Sequence, residues 1–412
     1  MLDPKTIKLD FPIFRHQPNL VYLDAAATSL KPQTVIDAER EYLERYSANV
    51  GRGLYPIAEK ATEKFEAVRE KVAAFIGAAS PREIIFTGGA TDSINLAAGL
   101  LEPLVRSASN IIVTELEHHS NFLPWKELAR RKNIELRVAP IDADGRIDTA
   151  ALSKLTDEHT AIIVFSAVSN VTGAISPVAD MVQLVKVKNP TVIVIVDAAQ
   201  AVGHMPISVN GWNADFVAFS AHKMFGTTGV GVLYGKAALL ETLQPVAFGG
   251  GMVLDVYPPG RACASMYKDI PHRFEAGTPN IGGVIALGAA LDYIGGIGLE
   301  NIRAHEIVLA EYALNRLREN FGDALRIIGP NNTTERGGII AVSLQNIHPH
   351  DIAHLLGESG ICVRAGEHCA APLHRALRLD ATTRLSFSIY NDESDIEKFI
   401  EALKKMQKIF SQ

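Results

Sequence analysis

Short apolar runs alternate with helical stretches through the first two thirds of this chain. The runs are Ile84 to Thr87, Ile111 to Glu115, Leu136 to Ile141, Ala161 to Ala167, Val192 to Val196, Phe216 to Ser220 and Gly229 to Tyr234. Several, such as Val192 to Val196, are apolar on both faces, as strands covered by helices on each side must be. Between them lie helical patterns, among them Pro56 to Phe75 closed by Gly77, Asp92 to Leu104, and Asn121 to Lys132. Strands alternating with helices predict βαβ units and a mainly parallel sheet.

After about residue 260 the rhythm changes. Helical patterns at Asn280–Ile294 and Leu299–Asn320 precede apolar runs at Leu325–Ile328, Gly338–Leu344, Ile361–Val363 and Arg384–Ile389. A final helix is expected from about Glu393 to Ile409. Helices followed by strands suggest a smaller α+β domain packed on the first. The expected division is 1–20 as a segment joining the small domain, 21–285 as the large domain and 286–412 as the small one.

Composition changes this picture little. The chain has 412 residues, 47% apolar and 21% charged, with a net charge of −6. This is an ordinary soluble profile with no electrostatic case for nucleic acid or a membrane surface. The start, Met1 to Lys5, lacks the basic and apolar stretches of a signal peptide. No apolar run approaches the roughly 20 residues of a membrane span. Cys263, Cys362 and Cys369 form no Cys-x-x-Cys pair, which argues against a disulfide framework or a structural zinc. The expected compartment is the reducing cytoplasm, and no metal is expected.

The candidate chemistry changes the picture most. Lys223 follows an apolar strand and precedes the glycine-rich Gly226 to Gly229. A lone lysine in a loop is normally solvated, but Ser220 and His222 beside it can donate to a phosphate. The strand Val192 to Val196 ends on Asp197, well placed at a sheet's carboxyl edge to face a pyridine nitrogen. Gln200 can reach a phenolic oxygen. Gly88-Gly89-Ala90-Thr91 opens a helix whose N–H groups, with the Thr91 hydroxyl, suit a phosphate. His118 can stack on a ring, whereas His119 reads as structural. An amine, an acid and an anion cradle in this order point to pyridoxal 5'-phosphate (PLP).

Cys369, after Gly366 and before Ala370-Ala371-Pro372, reads as a loop thiol and a nucleophile. Arg364 and His368 would favour its thiolate and Glu367 would oppose it. Cys362 reads as a buried strand residue. Arg384 can bind a substrate α-carboxylate through its planar fork, and Asn170 can orient cofactor and carboxylate. His348-Pro349-His350-Asp351 reads as a helix N-terminus with solvent-facing histidines; docking of an acceptor protein there is the alternative.

The ordered set resembles the class V aminotransferase family and, more narrowly, the group II (SUF-type) cysteine desulfurases. It runs from Tyr22-Leu23-Asp24-Ala25-Ala26-Ala27-Thr28 and Arg52-Gly53 through Glu117-His118-His119, Ser169 to Gly173, Asp197 to Gln200 and Ser220 to Lys223. It continues to Phe274 to Pro279 and Arg364 to Cys369. The resemblance implies the PLP fold type I, with a seven-stranded sheet in the large domain. It implies PLP joined to Lys223, His118 on the ring, Asp197 at its nitrogen, and Thr91, Ser220 and His222 on the phosphate. Thr278 would reach that phosphate across a homodimer interface. The implied reaction converts L-cysteine to L-alanine, with sulfur held as a persulfide on Cys369 for a SUF-type acceptor protein and iron–sulfur cluster assembly. Selenocysteine lyase and cysteine sulfinate desulfinase are alternatives with the same site. Tyr55, Ala90 and Glu367 depart from the residues common in the family.

Overall fold

β1 (Val21–Tyr22) lies near the start of a chain whose computed structural model describes residues 2–257 and 265–410. Cys263 lies outside those residues. The large sheet follows as β2 (Ile84–Thr87), β3 (Asn110–Thr114), β4 (Glu135–Ala139), β5 (Thr160–Ser166), β6 (Ile193–Asp197), β7 (Phe216–Ser220) and β8 (Gly231–Gly235). Their order is β2-β8-β7-β6-β5-β3-β4. The neighbours from β7 to β4 pair in parallel, and β8 runs antiparallel to both β2 and β7. The loop between β7 and β8 is too short for a helical crossover, which forces that reversal.

The expected strands are all present: Ile84–Thr87, Phe216–Ser220 and Leu325–Ile328 as expected, the others with ends shifted by at most three positions. Every residue of β3, β7 and β8 is buried, as a sheet covered on both faces demands. The helix Pro56–Ile76 ends at Gly77, whose φ of 66° is the left-handed cap expected there.

β9 (Val253–Asp255) and β10 (Met266–Tyr267) form a small antiparallel pair. The second core is built on β11 (Leu325–Ile328), β12 (Ile339–Leu344), β14 (Arg364–Gly366) and β15 (Thr382–Ser386). These form an antiparallel sheet in the order β11-β12-β15-β14. Helices Leu299–Phe321 and Glu393–Phe410 bury Leu314, Leu317, Phe399 and Leu403 in that core. β1 pairs in parallel with β13 (Ile361–Cys362), so the N-terminal segment is bound to the second core. Helix Ile281–Ile297 runs through the expected division at 285, and residues on both sides of that point, Ile281 and Val284 before it and Leu287, Leu291 and Ile294 after it, share the core of the large sheet.

Among the described residues no single helix is long and apolar enough to cross a membrane.

Candidate active site

The carboxyl ends of the parallel strands carry the site, as α/β topology dictates. β6 ends on Asp197, buried, with its Oδ1 accepting the N–H of Ala199 at 2.9 Å. Burial pushes the Asp197 carboxyl up, while the Ala199 N–H and the Lys223 charge pull it back. β7 ends on Ser220, and a single turn brings Lys223 into a cavity of 430 Å³. Burial pushes the Lys223 amine down to about 8; Asp197 opposes that shift and Arg384 adds to it. Gln200, three residues after Asp197, donates to Ala26 O at 2.8 Å.

β3 leads to Glu117 and His118. His118 caps the helix His119–Lys132, its Nδ1 accepting the N–H of Ser120 at 3.1 Å. Burial, then the Lys223 charge, pushes its imidazole down to about 4, so the ring is neutral and free to lie flat against an aromatic ligand. The helix Ala90–Leu101 points its N-terminus at the same cavity. There Ser220 Oγ accepts the N–H of Ala90 at 2.7 Å, and the Thr91 hydroxyl lies 2.7 Å from that of Ser120. A Cβ on Gly231, opposite Ser220 in β8, would lie 2.4 Å from Gly89, so glycine is what lets that turn close over the strand end.

The second core supplies the remaining wall. Arg384, in β15 and almost fully buried, gives Nη1 to Asn170 O at 2.9 Å and Nη2 to Asp24 Oδ1 at 3.2 Å. Its Nε is buried without a partner. Arg364 meets the other oxygen of Asp24 with Nη2 at 2.9 Å. Cys369 is exposed and lines the same cavity as Lys223.

The structure therefore brings together Lys223, Cys369, His118, Thr91, Asn170, Asp197, Gln200, Ser220, His222 and Arg384 around one cavity. Thr278 stands apart: it is exposed and lines a different cavity with Gly250 and Gly277. His368 is a correction. Its ring is turned away into Thr382, with Nε2 2.9 Å from the hydroxyl, and burial with the Arg384 charge pushes it down to about 2. It is a neutral prop and gives the thiol no positive charge. Cys362, half-buried in β13, has its thiol pushed up by burial, as a structural cysteine should. His348 caps the helix Pro349–Glu358 and, like His350, faces solvent.

Three features were missed in the sequence. Asp24 joins the two arginines. The His222 carbonyl receives Ser29 N–H, the Ser29 and Thr28 hydroxyls and the Lys31 ammonium, all within 3.1 Å, which clamps the turn before Lys223. Glu117 is fully buried and accepts from Thr114, Asn121 and Ser166. Burial pushes its carboxyl up to about 7. The Tyr22 to Thr28 motif, which holds both Asp24 and Thr28, was a signal for the first two, and Glu117-His118-His119 for the third.

The residues fit PLP on their own chemistry. His222 Nδ1 is buried with no partner beside Ser220 and a helix N-terminus, as a phosphate donor would be. Lys223 and Asp197 supply the amine and the acid from adjacent strands.

The Aminotransferase class-V family model matches residues 21–399. A "probable cysteine desulfurase" of Streptomyces coelicolor is 44% identical, covering 100% of this chain and 98% of its own. A cysteine desulfurase of Yersinia pestis is 40% identical, covering 98% of each chain. The apo structure of cysteine desulfurase from Thermococcus onnurineus superposes with a TM-score of 0.91 at 36% identity, and the cysteine desulfurase CsdA (S-sulfonic acid) from Escherichia coli with 0.90 at 33%. Each of these two covers 99% of both chains. With a family model spanning nearly its whole length and such relatives matched end to end, this chain belongs to the class-V aminotransferase family.

Proposed function

We propose that this protein is a PLP-dependent cysteine desulfurase that converts L-cysteine to L-alanine and holds the sulfur as a persulfide on Cys369. One observation carries the reading: Lys223, from the large sheet, and Cys369, from a loop of the second core, line the same cavity.

Lys223 would hold PLP, with Asp197 at the ring nitrogen, His118 against the ring and Gln200 at its phenolic oxygen. Ser220, His222, Thr91 and the helix start at Ala90 would hold the phosphate. When bound, PLP supplies the electron sink that makes bonds at the substrate α-carbon ionisable. Arg384, which lines the cavity, receives the substrate carboxylate, and the Asn170 side chain flanks it. The Lys223 amine, pushed down to about 8, takes and returns protons at the α-carbon near neutral pH.

The Cys369 thiolate then attacks the substrate sulfur. An S–S bond forms as the Cβ–S bond breaks, and the electron pair of that bond passes to carbon. Carbon takes up a proton and leaves as alanine, so cysteine and one thiol become alanine and one persulfide with no outside oxidant. Arg364 lines the cavity beside Cys369.

We place the domain division at Gly298, between helices Ile281–Ile297 and Leu299–Phe321. A second copy supplies Thr278 to the phosphate, the acceptor of the persulfide is a SUF-type protein serving iron–sulfur cluster assembly, and the protein works in the cytoplasm.

The test is a single turnover with equimolar L-cysteine and no reductant. Alanine and a persulfide on the peptide containing Cys369 should appear in equal amounts. Alanine without the persulfide sinks the reading.

A further inference from the structure

The proposed cleavage needs the Cys369 sulfur at one point in the cavity, yet its loop sits in a conformation that the chain does not favour locally. His368 and Cys369 follow one another in the left-handed region, with φ of 51° and 56°. Residues with side chains seldom adopt it, and it persists where surrounding groups dictate it. Those groups come from segments that follow strands of the large sheet, the helix start at His119 after β3 and the turn at Asn170 after β5. The N–H of His119 donates to Cys369 O at 2.6 Å, and His119 Nε2 accepts the N–H of Ala371 at 3.2 Å. Asn170 Nδ2 donates to His368 O at 2.8 Å. Both left-handed carbonyls are thus taken from across the cavity, and one residue grips the loop at two points. On the far side His374 Nδ1 lies 3.1 Å from Ala370 O, and both His368 and His374 meet the Thr382 hydroxyl.

We propose that His119 is the positioning residue of the nucleophile: its main chain and ring hold the Cys369 loop in its left-handed form and so fix the thiol against substrate bound at Lys223. The inference rests on the desulfurase reading for what the thiol attacks. The ring acts as an acceptor through Nε2, so its proton sits on Nδ1. A glutamine side-chain oxygen reaches about as far as Nε2, whereas an asparagine oxygen stops short at the place of Nδ1.

The test compares holoenzymes carrying His119→Ala, His119→Asn and His119→Gln. The alanine and asparagine variants should lose about ten- to a hundredfold in kcat for cysteine, the range expected of a nucleophile displaced by an ångström or less. Their KM should stay within about twofold, because carboxylate binding is untouched. The visible absorbance of the cofactor-loaded protein should be unchanged, and the Ala371 amide should exchange its hydrogen faster. Glutamine should restore both kcat and protection. Parent kcat in His119→Ala, an Ala371 amide as protected as in the parent, or a glutamine variant as poor as alanine overturns the proposal. So does an altered absorbance, which would place His119 on the cofactor instead. If the parent enzyme makes no alanine from cysteine, the desulfurase reading falls and hydrogen exchange still decides whether His119 holds the loop.

Discussion

Asp24 Oδ1 lies 3.2 Å from Arg384 Nη2 behind the cavity that Arg384 lines, and it is the carboxylate that balances this almost fully buried cation. Asp24→Asn keeps the shape and removes the charge. Leaving a buried charge without its partner costs about 3–5 kcal/mol, and Arg364, half exposed, adds little to that figure. Urea unfolding should show the loss as a lower midpoint at constant slope. A midpoint equal to the parent's would mean that water or Asn170 O already suffices for Arg384.

Arg384→Ala should raise KM for cysteine steeply, since a carboxylate that loses a buried charged partner loses about 2–5 kcal/mol of binding. The covalent link at Lys223 should survive. Arg384→Lys should rescue poorly, because a point charge cannot reproduce the fork shared with Asp24 and Asn170 O. An unchanged KM would put the substrate carboxylate elsewhere.

The lowered Lys223 pKa sets a pH profile. An amine captures an aldehyde as the free base, and that form grows as pH rises through the pKa. In the folded chain the midpoint falls at about 8, against 10.5 for an ordinary lysine. The rate at which cofactor-free protein captures added PLP should therefore rise from pH 6 and level off above about 9. Borohydride fixation and peptide mapping should place the label on Lys223. A rate still climbing steeply at pH 10, or a label on another lysine, contradicts the assignment.

Cys369→Ser should still bind cysteine and change the cofactor's absorbance, because binding and proton removal need no thiol. It should make no persulfide and almost no alanine, since a hydroxyl at neutral pH is a far poorer nucleophile than a thiolate. Cys362→Ser should keep activity. A dead Cys362→Ser variant beside an active Cys369→Ser variant would reverse the two roles.

The strand ends were readable in the sequence because they are local. An apolar run that stops on Asp197 or Ser220 puts that residue at a sheet edge whatever the rest of the chain does. The partners of Asp24 and His119 were not readable, for each is met only when a distant part of the second core folds against it: strands β14 and β15 for Asp24, the Cys369 loop for His119. His368 was misread for the same reason: beside Cys369 in sequence, its ring turns instead to Thr382. β14 was missed because Arg364-Ala365-Gly366 has no strand pattern of its own and is held by its neighbour β15.

The pairing of β1 with β13, and of Asp24 with Arg384, also bears on how the molecule comes into being. The two charged partners are 360 positions apart. At ~5–20 residues per second of synthesis, Asp24 waits about 20 to 70 s before Arg384 emerges. Closing so long a loop carries an entropy cost that later contacts must offset. A chain that ends between Lys223 and Thr382 has that lysine but neither Arg384 nor the strand β15 whose Thr382 meets His368 beside Cys369. The wall formed by Arg364, Cys369 and Arg384 is therefore the last part of the cavity to be made, and the cavity closes only once nearly the whole chain has been synthesised.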